Sequence, residues 1–159
     1  MRWIILLLLL SFTANGQSMS STKSESERLM SAALPFAEQM LQKYGEFFPY
    51  GHALNVKGEV IAVAAYDGQE RPPSAEVIRL LKQAFVQGAK ANKYMATALV
   101  YDVRVQLPSS GTKSDAIAVS LNHKDNYSVV VFFPYKREGS KLIMGTVFAN
   151  NGEGDIFSK

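Results

Sequence analysis

Apolar residues recur along this chain with three different spacings, and each spacing predicts a different kind of element. The first is continuous: Trp3 to Phe12 (WIILLLLLSF) is apolar apart from one serine. The second is helical. Leu29, Met30, Ala33, Phe36, Ala37, Met40, Leu41 and Tyr44 mark one stripe, predicting a helix over 24–44. Ser24 and Glu27 stand at capping-box spacing before it, and Gly45 offers the left-handed residue that ends it. Pro35 interrupts the stripe without changing its phase, which predicts one kinked helix. A second stripe holds Val77, Ile78, Leu81, Ala84, Phe85 and Gly88, with Ser74 as the expected N-cap.

The third spacing is alternation. It predicts a hairpin of His52–Val56 and Glu59–Tyr66 around Lys57-Gly58, then strands over 95–107, 115–124, 127–137 and 141–149. The segment Tyr127–Arg137 is apolar on both faces and is expected to lie centrally in the sheet. The order α-β-β-α-β-β-β-β, with short turns between strands, predicts an α+β domain: an antiparallel sheet of about six strands carrying two helices. The roadblock and profilin-like sandwiches share this order, an analogy of fold alone.

The continuous run changes the boundaries of that domain. Arg2 before it and Ala14-Asn15-Gly16 after it complete the outline of a secretory signal peptide cut after Gly16. Its ten residues fall short of the about 20 that cross a bilayer, so the expected product is exported, periplasmic or extracellular, and without a stable membrane anchor. Residues 17–23 read as a disordered spacer, 24–149 as one domain and the Gly-rich 150–159 as a flexible tail. No cysteine is present, which excludes thiol catalysis and disulfide support. The net charge of +3 is spread over 17 basic and 14 acidic residues with no block of one sign, so nucleic acid is not an expected partner.

Three segments, YGEFFPYGHALNVKGEV (Tyr44–Val60), YDVRV (Tyr101–Val105) and DAIAVSLNHKDNYSVVVFFPY (Asp115–Tyr135), resemble a family of small bacterial proteins with a YGEFFPYG-like motif. The resemblance spans most of the chain after the leader and implies a single domain. It brings no reaction, cofactor or site residue, and the leader is a departure from those relatives.

Candidate chemistry is sparse. The two histidines, His52 and His123, would need to converge with Asp125 or Glu46 to hold a metal, and no close ligand pair starts such a site, so no metal or cofactor is expected. If Asp125-Asn126 is a two-residue loop, His123 faces Ser128 across the hairpin with Asp125 alongside, an outline of a Ser-His-Asp relay. No oxyanion donor or strained elbow accompanies it. Asp102 and Arg104 are two apart on one strand face, as for a solvated ion pair, while Asp67, Glu70 and Asp115 lie in loops or at polar strand positions. There is no phosphate-binding glycine loop. The aromatic residues Phe47, Phe48, Tyr50, Tyr127, Phe132, Phe133 and Tyr135 are core candidates, the tyrosines with polar tips that suit the rim of a groove. The expectation is therefore a non-catalytic binding protein, inhibitor- or immunity-like, with a protein or peptide partner at Tyr50, His52, His123 and Tyr127. A small hydrolase using His123, Ser128 and Asp125 is the alternative.

Overall fold

The computed structural model describes residues 15–65 and 68–158. Its elements are α1 (Asn15–Tyr44), β1 (Tyr50–Asn55), β2 (Val60–Val63), α2 (Ser74–Lys90), β3 (Tyr94–Gln106), β4 (Lys113–His123), β5 (Tyr127–Glu138), β6 (Lys141–Met144) and β7 (Phe148–Asn151). The domain is α+β and its sheet is antiparallel, in the order β2-β1-β3-β4-β5-β6 with β7 also on β5. The described residues hold seven strands, because the last expected strand is broken in two. β6 pairs with residues 135–138 of β5 and β7 with residues 129–132. Between them the Gly145 N–H donates to the Pro134 carbonyl at 2.7 Å. Proline has no N–H to return, so the ladder is interrupted opposite it and the edge strand bulges.

The helices cover opposite faces of the sheet. Along β3, Ala96, Ala98 and Val100 meet the α1 stripe of Leu29, Ala33, Ala37 and Leu41. The alternate residue Leu99 meets Val77, Leu81 and Phe85 of α2. The period of two along one strand thus feeds two cores, giving three layers. Burial is greatest at residues 96–100 of β3 and 116–119 of β4. The doubly apolar β5 lies one strand further out, flanked by β4 on one side and β6 and β7 on the other. Its residues 127–133 are only half-buried, since α2 packs on β1 and β3.

Three boundaries differ from expectation. The helix α1 already includes residues 17–23, the expected spacer, and the Ser24–Glu27 box lies in its interior. The reason is that its buried stripe continues through Ser26 and Thr22, polar residues that break the apolar pattern but not the helical phase. The Thr22 hydroxyl donates to the Ser18 carbonyl at 2.9 Å, a helix-internal bond that hides its polarity. Pro35 stands inside this single helix, and Gly45 ends it with φ 79°. The expected leader falls mainly on residues 1–14, outside the described residues, and its cut between Gly16 and Gln17 falls within α1. In α2, Ser74 is the first helical residue and makes no capping bond; Pro73 precedes it, and its carbonyl accepts from Glu76 and Val77.

The third difference is the C-terminal segment. β7 runs to Asn151, and Ile156, 3% exposed, fills the core beneath α2. Lys82 of α2 bonds both Glu153, at 2.5 Å, and Asp155, at 3.1 Å. Glycines read as a sign of mobility here permit close approach instead, for a Cβ at Gly152 would collide with Ser128. Among the described residues no helix is long and apolar enough to cross a membrane.

Candidate functional site

The β4–β5 hairpin decides the fate of the expected relay. Its register pairs His123 with Tyr127 and Asn122 with Ser128, across a three-residue turn in which Asn126 takes φ 60°. The expected two-residue loop would have paired His123 with Ser128. One residue of slip puts every side chain of a strand on the other face, so His123 and Ser128 lie on opposite sides of the sheet. The Ser128 hydroxyl donates to Asn122 Oδ1 at 3.0 Å and accepts from the Gly154 N–H at 3.0 Å.

His123 is buried, and its ring is engaged at both nitrogens. Nδ1 accepts the Asp125 N–H at 3.1 Å, which leaves Nε2 as the protonated nitrogen, donating to Glu25 of α1 at 2.8 Å. Asp125 Oδ2 is 3.6 Å from Nδ1 and 3.5 Å from the Thr22 hydroxyl. This cluster ties the first turns of α1 to the hairpin. His52 lies two strands away on β1, with β3 between β1 and β4, so the two imidazoles do not meet. Asp102 does not pair with Arg104: it accepts from the Tyr135 hydroxyl at 2.9 Å, and burial raises its pKa above the usual carboxylate range. Arg104 bonds Asp115, its partner across the β3–β4 ladder, at 3.3 Å. Glu70 is exposed, and Asp67 lies outside the described residues.

Of the four expected binding residues, the structure brings together Tyr50 with His52 and His123 with Tyr127, as two separate pairs. All four share the α1 face, but β3 and β4 stand between Tyr50 and Tyr127. The Tyr50 hydroxyl is turned inward. It donates to the Ala33 carbonyl at 2.7 Å and accepts the Ala37 N–H at 3.0 Å, the acceptor and donor of one rung of the α1 ladder. A phenol thus bridges the helix directly beyond Pro35, where proline has already weakened the ladder. Burial drives the Tyr50 pKa far above the ordinary tyrosine value.

Around that phenol the chain forms a concave aromatic surface that the sequence pattern did not single out as a site. Phe36, Met40 and Tyr44 occupy successive turns of α1 and, with Phe48 from the α1–β1 connection, surround a pocket of about 320 Å³ beside Tyr50. Phe36 is 47% exposed, Tyr44 61% and Phe48 48%. The Phe36 ring meets Tyr50 edge-on at 5.0 Å and 87°, and Phe47 meets it at 6.0 Å and 66°. Glu46 supplies the one charged side chain of the lining. The available signal was the width of the stripe: Leu29-Ala33-Ala37-Leu41 already fills the line facing the sheet, and Phe36-Met40-Tyr44 forms a second line that the sheet does not cover. Phe132, another of the aromatic core candidates, is half-buried and stacks on Phe148 at 5.0 Å. Comparison with protein families, with curated proteins and with solved structures returns no match for this chain.

Proposed function

We propose that this chain is an exported, non-catalytic interaction protein, inhibitor- or immunity-like in the periplasm, whose protein or peptide partner docks on the aromatic pocket at the end of α1. The observation that carries this reading is the exposure of three large apolar rings around one concavity. Aromatic residues are enriched where partners bind and supply large contact area at little conformational cost. The expected site at Tyr50 and His52 survives only in the sense that Tyr50 forms the inner wall of this pocket. His123 and Tyr127 contribute nothing to it.

The hydrolase alternative has the hairpin register against it, since His123 and Ser128 point to opposite faces and both nitrogens of His123 already serve structural bonds. Export rests on the leader read in Met1–Gly16. The mass of protein from the exported fraction is expected to correspond to a chain starting at Gln17; full-length protein confined to the cytoplasm would contradict it. For the interaction itself, wild type and Phe36→Ala/Phe48→Ala are used as baits in envelope extracts. A partner held by the wild type and lost by the folded double variant supports the reading. Equal capture by both sinks the pocket as the docking site, and esterase or glycosidase activity abolished by His123→Ala would establish the alternative.

A further inference from the structure

We infer that the group received by this pocket is an alkylammonium cation, the head of a lysine side chain, bare or methylated, on the partner. The inference rests on the interaction reading above and narrows it to one chemistry. Five rings line the pocket, and the two that meet Tyr50 do so steeply: Phe36 at 87° and Phe47 at 66°. Rings set at such angles form a corner and not a stack. A flat apolar ligand is best served by parallel walls, whereas a compact ion meets a ring face from more than one side in a corner.

Charge points the same way. The lining contains a carboxylate, Glu46, and no cation. The pocket also adjoins the C-terminal end of α1, where the last carbonyls carry partial negative charge that favours cations. The chain's own side chains already respond to this field. Lys43 Nζ stands 5.1 Å from the centroid of the Tyr44 ring, and the Arg137 guanidinium lies against Gly45 at the helix terminus. Both sit outside the lining, leaving the interior without a positive charge, and both will weaken binding of an incoming cation at low salt. At about 320 Å³ the pocket is at the small end of ligand sites and has room for a side-chain head.

The probe is choline, compared by calorimetric titration with its uncharged carbon isostere, 3,3-dimethyl-1-butanol. Choline is expected to bind roughly tenfold more tightly, the discrimination a partly desolvated cation–π contact gives. Phe36→Leu keeps an apolar side chain but removes the π face, and is expected to abolish the preference while the protein still melts in one cooperative transition; Phe36→Tyr restores it. Glu46→Gln is expected to weaken choline several-fold, with the deficit shrinking as salt is raised. Equal affinity for choline and the isostere, or full retention in Phe36→Leu, would overturn the cation assignment. If choline fails to bind while the Phe36→Ala/Phe48→Ala bait still loses its partner, this inference falls and the docking surface stands. Loss of choline binding in Phe36→Leu together with partner capture unaffected by the double variant would instead sink the docking surface, leaving a cation site with no partner lysine to fill it.

Discussion

At the scale of single residues, the polar atoms with the most consequence are those of Tyr50 and His52, neighbours on β1 with ring centroids 5.8 Å apart. Replacing Tyr50 by phenylalanine keeps the ring but removes the oxygen that satisfies both Ala33 and Ala37. The cost is expected to be about 1–3 kcal/mol, the range for partners left unmatched in a buried setting, read as a lowered urea midpoint with an unchanged slope. His52 behaves differently. Burial lowers its pKa below the ordinary histidine value, and among the described residues its Nδ1 has no hydrogen-bond partner. The folded state therefore resists a proton that the unfolded state accepts. Stability contributed by neutral His52 is present above about pH 6.5 and is lost as pH falls through that value toward the lower folded pKa. Urea titrations between about pH 7 and 5 should show this loss in the wild type and a shallower one in His52→Gln; identical profiles would remove His52 as its source. Residue roles of this kind were the least legible part of the sequence. His123 and Tyr50 stood out as titratable and aromatic, and Asp125 was placed beside His123, but the Glu25 that His123 also bonds lies 98 residues away and the Ala33 and Ala37 that Tyr50 bonds lie 17 and 13 away, which no local pattern encodes.

At the scale of elements, periodicity told helix from strand throughout, and errors gathered where one residue type serves two purposes. Thr22 looked like linker because its hydroxyl is polar, though the helix absorbs it through the Ser18 carbonyl. Pro134 sits within β5 opposite Ala116, and its effect falls on the neighbouring strand, which it splits into β6 and β7. The hairpin register turned on whether Asn126 adopts a left-handed conformation, which asparagine tolerates but does not announce. Gly88 gives a test of helix packing. It is buried in α2, and a Cβ there would collide with the Tyr94 ring of β3. Helix propensity alone favours Gly88→Ala by about 1 kcal/mol. Overpacking against the ring should reverse the sign, with a net loss of about 1–3 kcal/mol that Tyr94→Leu partly relieves. A more stable Gly88→Ala single variant would show that the ring moves aside freely.

At the scale of the whole molecule, the C-terminal segment completes the layer that α2 begins. α2 covers β1 and β3, and Ile156 with Phe157 extends that layer at the helix's edge. Ile156→Ala is expected to cost about 2–4 kcal/mol, the usual range for emptying a buried aliphatic site. Removal of residues 152–159 should cost at least as much, because it also leaves Lys82 without Glu153 and Asp155. Thermal melts of the two variants distinguish a docked segment from a loose one, since a loose tail would leave both transitions at the wild-type temperature. Architecture was legible at this scale because element order and short turns constrain an antiparallel sheet strongly. The anchoring of the tail was not, because one isoleucine among glycines carries no period.

The ties that hold α1 also set an order in time. Its sheet-facing stripe rests on β3 and β4, its first turns are fastened by Glu25 to His123 and by Thr22 to Asp125, and the rung beyond Pro35 is bridged by a hydroxyl from β1. Contacts separated by 98 and 103 residues close slowly, because the intervening chain must first be ordered. The earliest element among the described residues is thus fully seated only after β4 and the turn that follows it. Until β3 and β4 exist, Leu29, Ala33, Ala37 and Leu41 lack most of the surface they lie against, and that stripe is what a chaperone, or another unfinished copy of the chain, meets in the meantime.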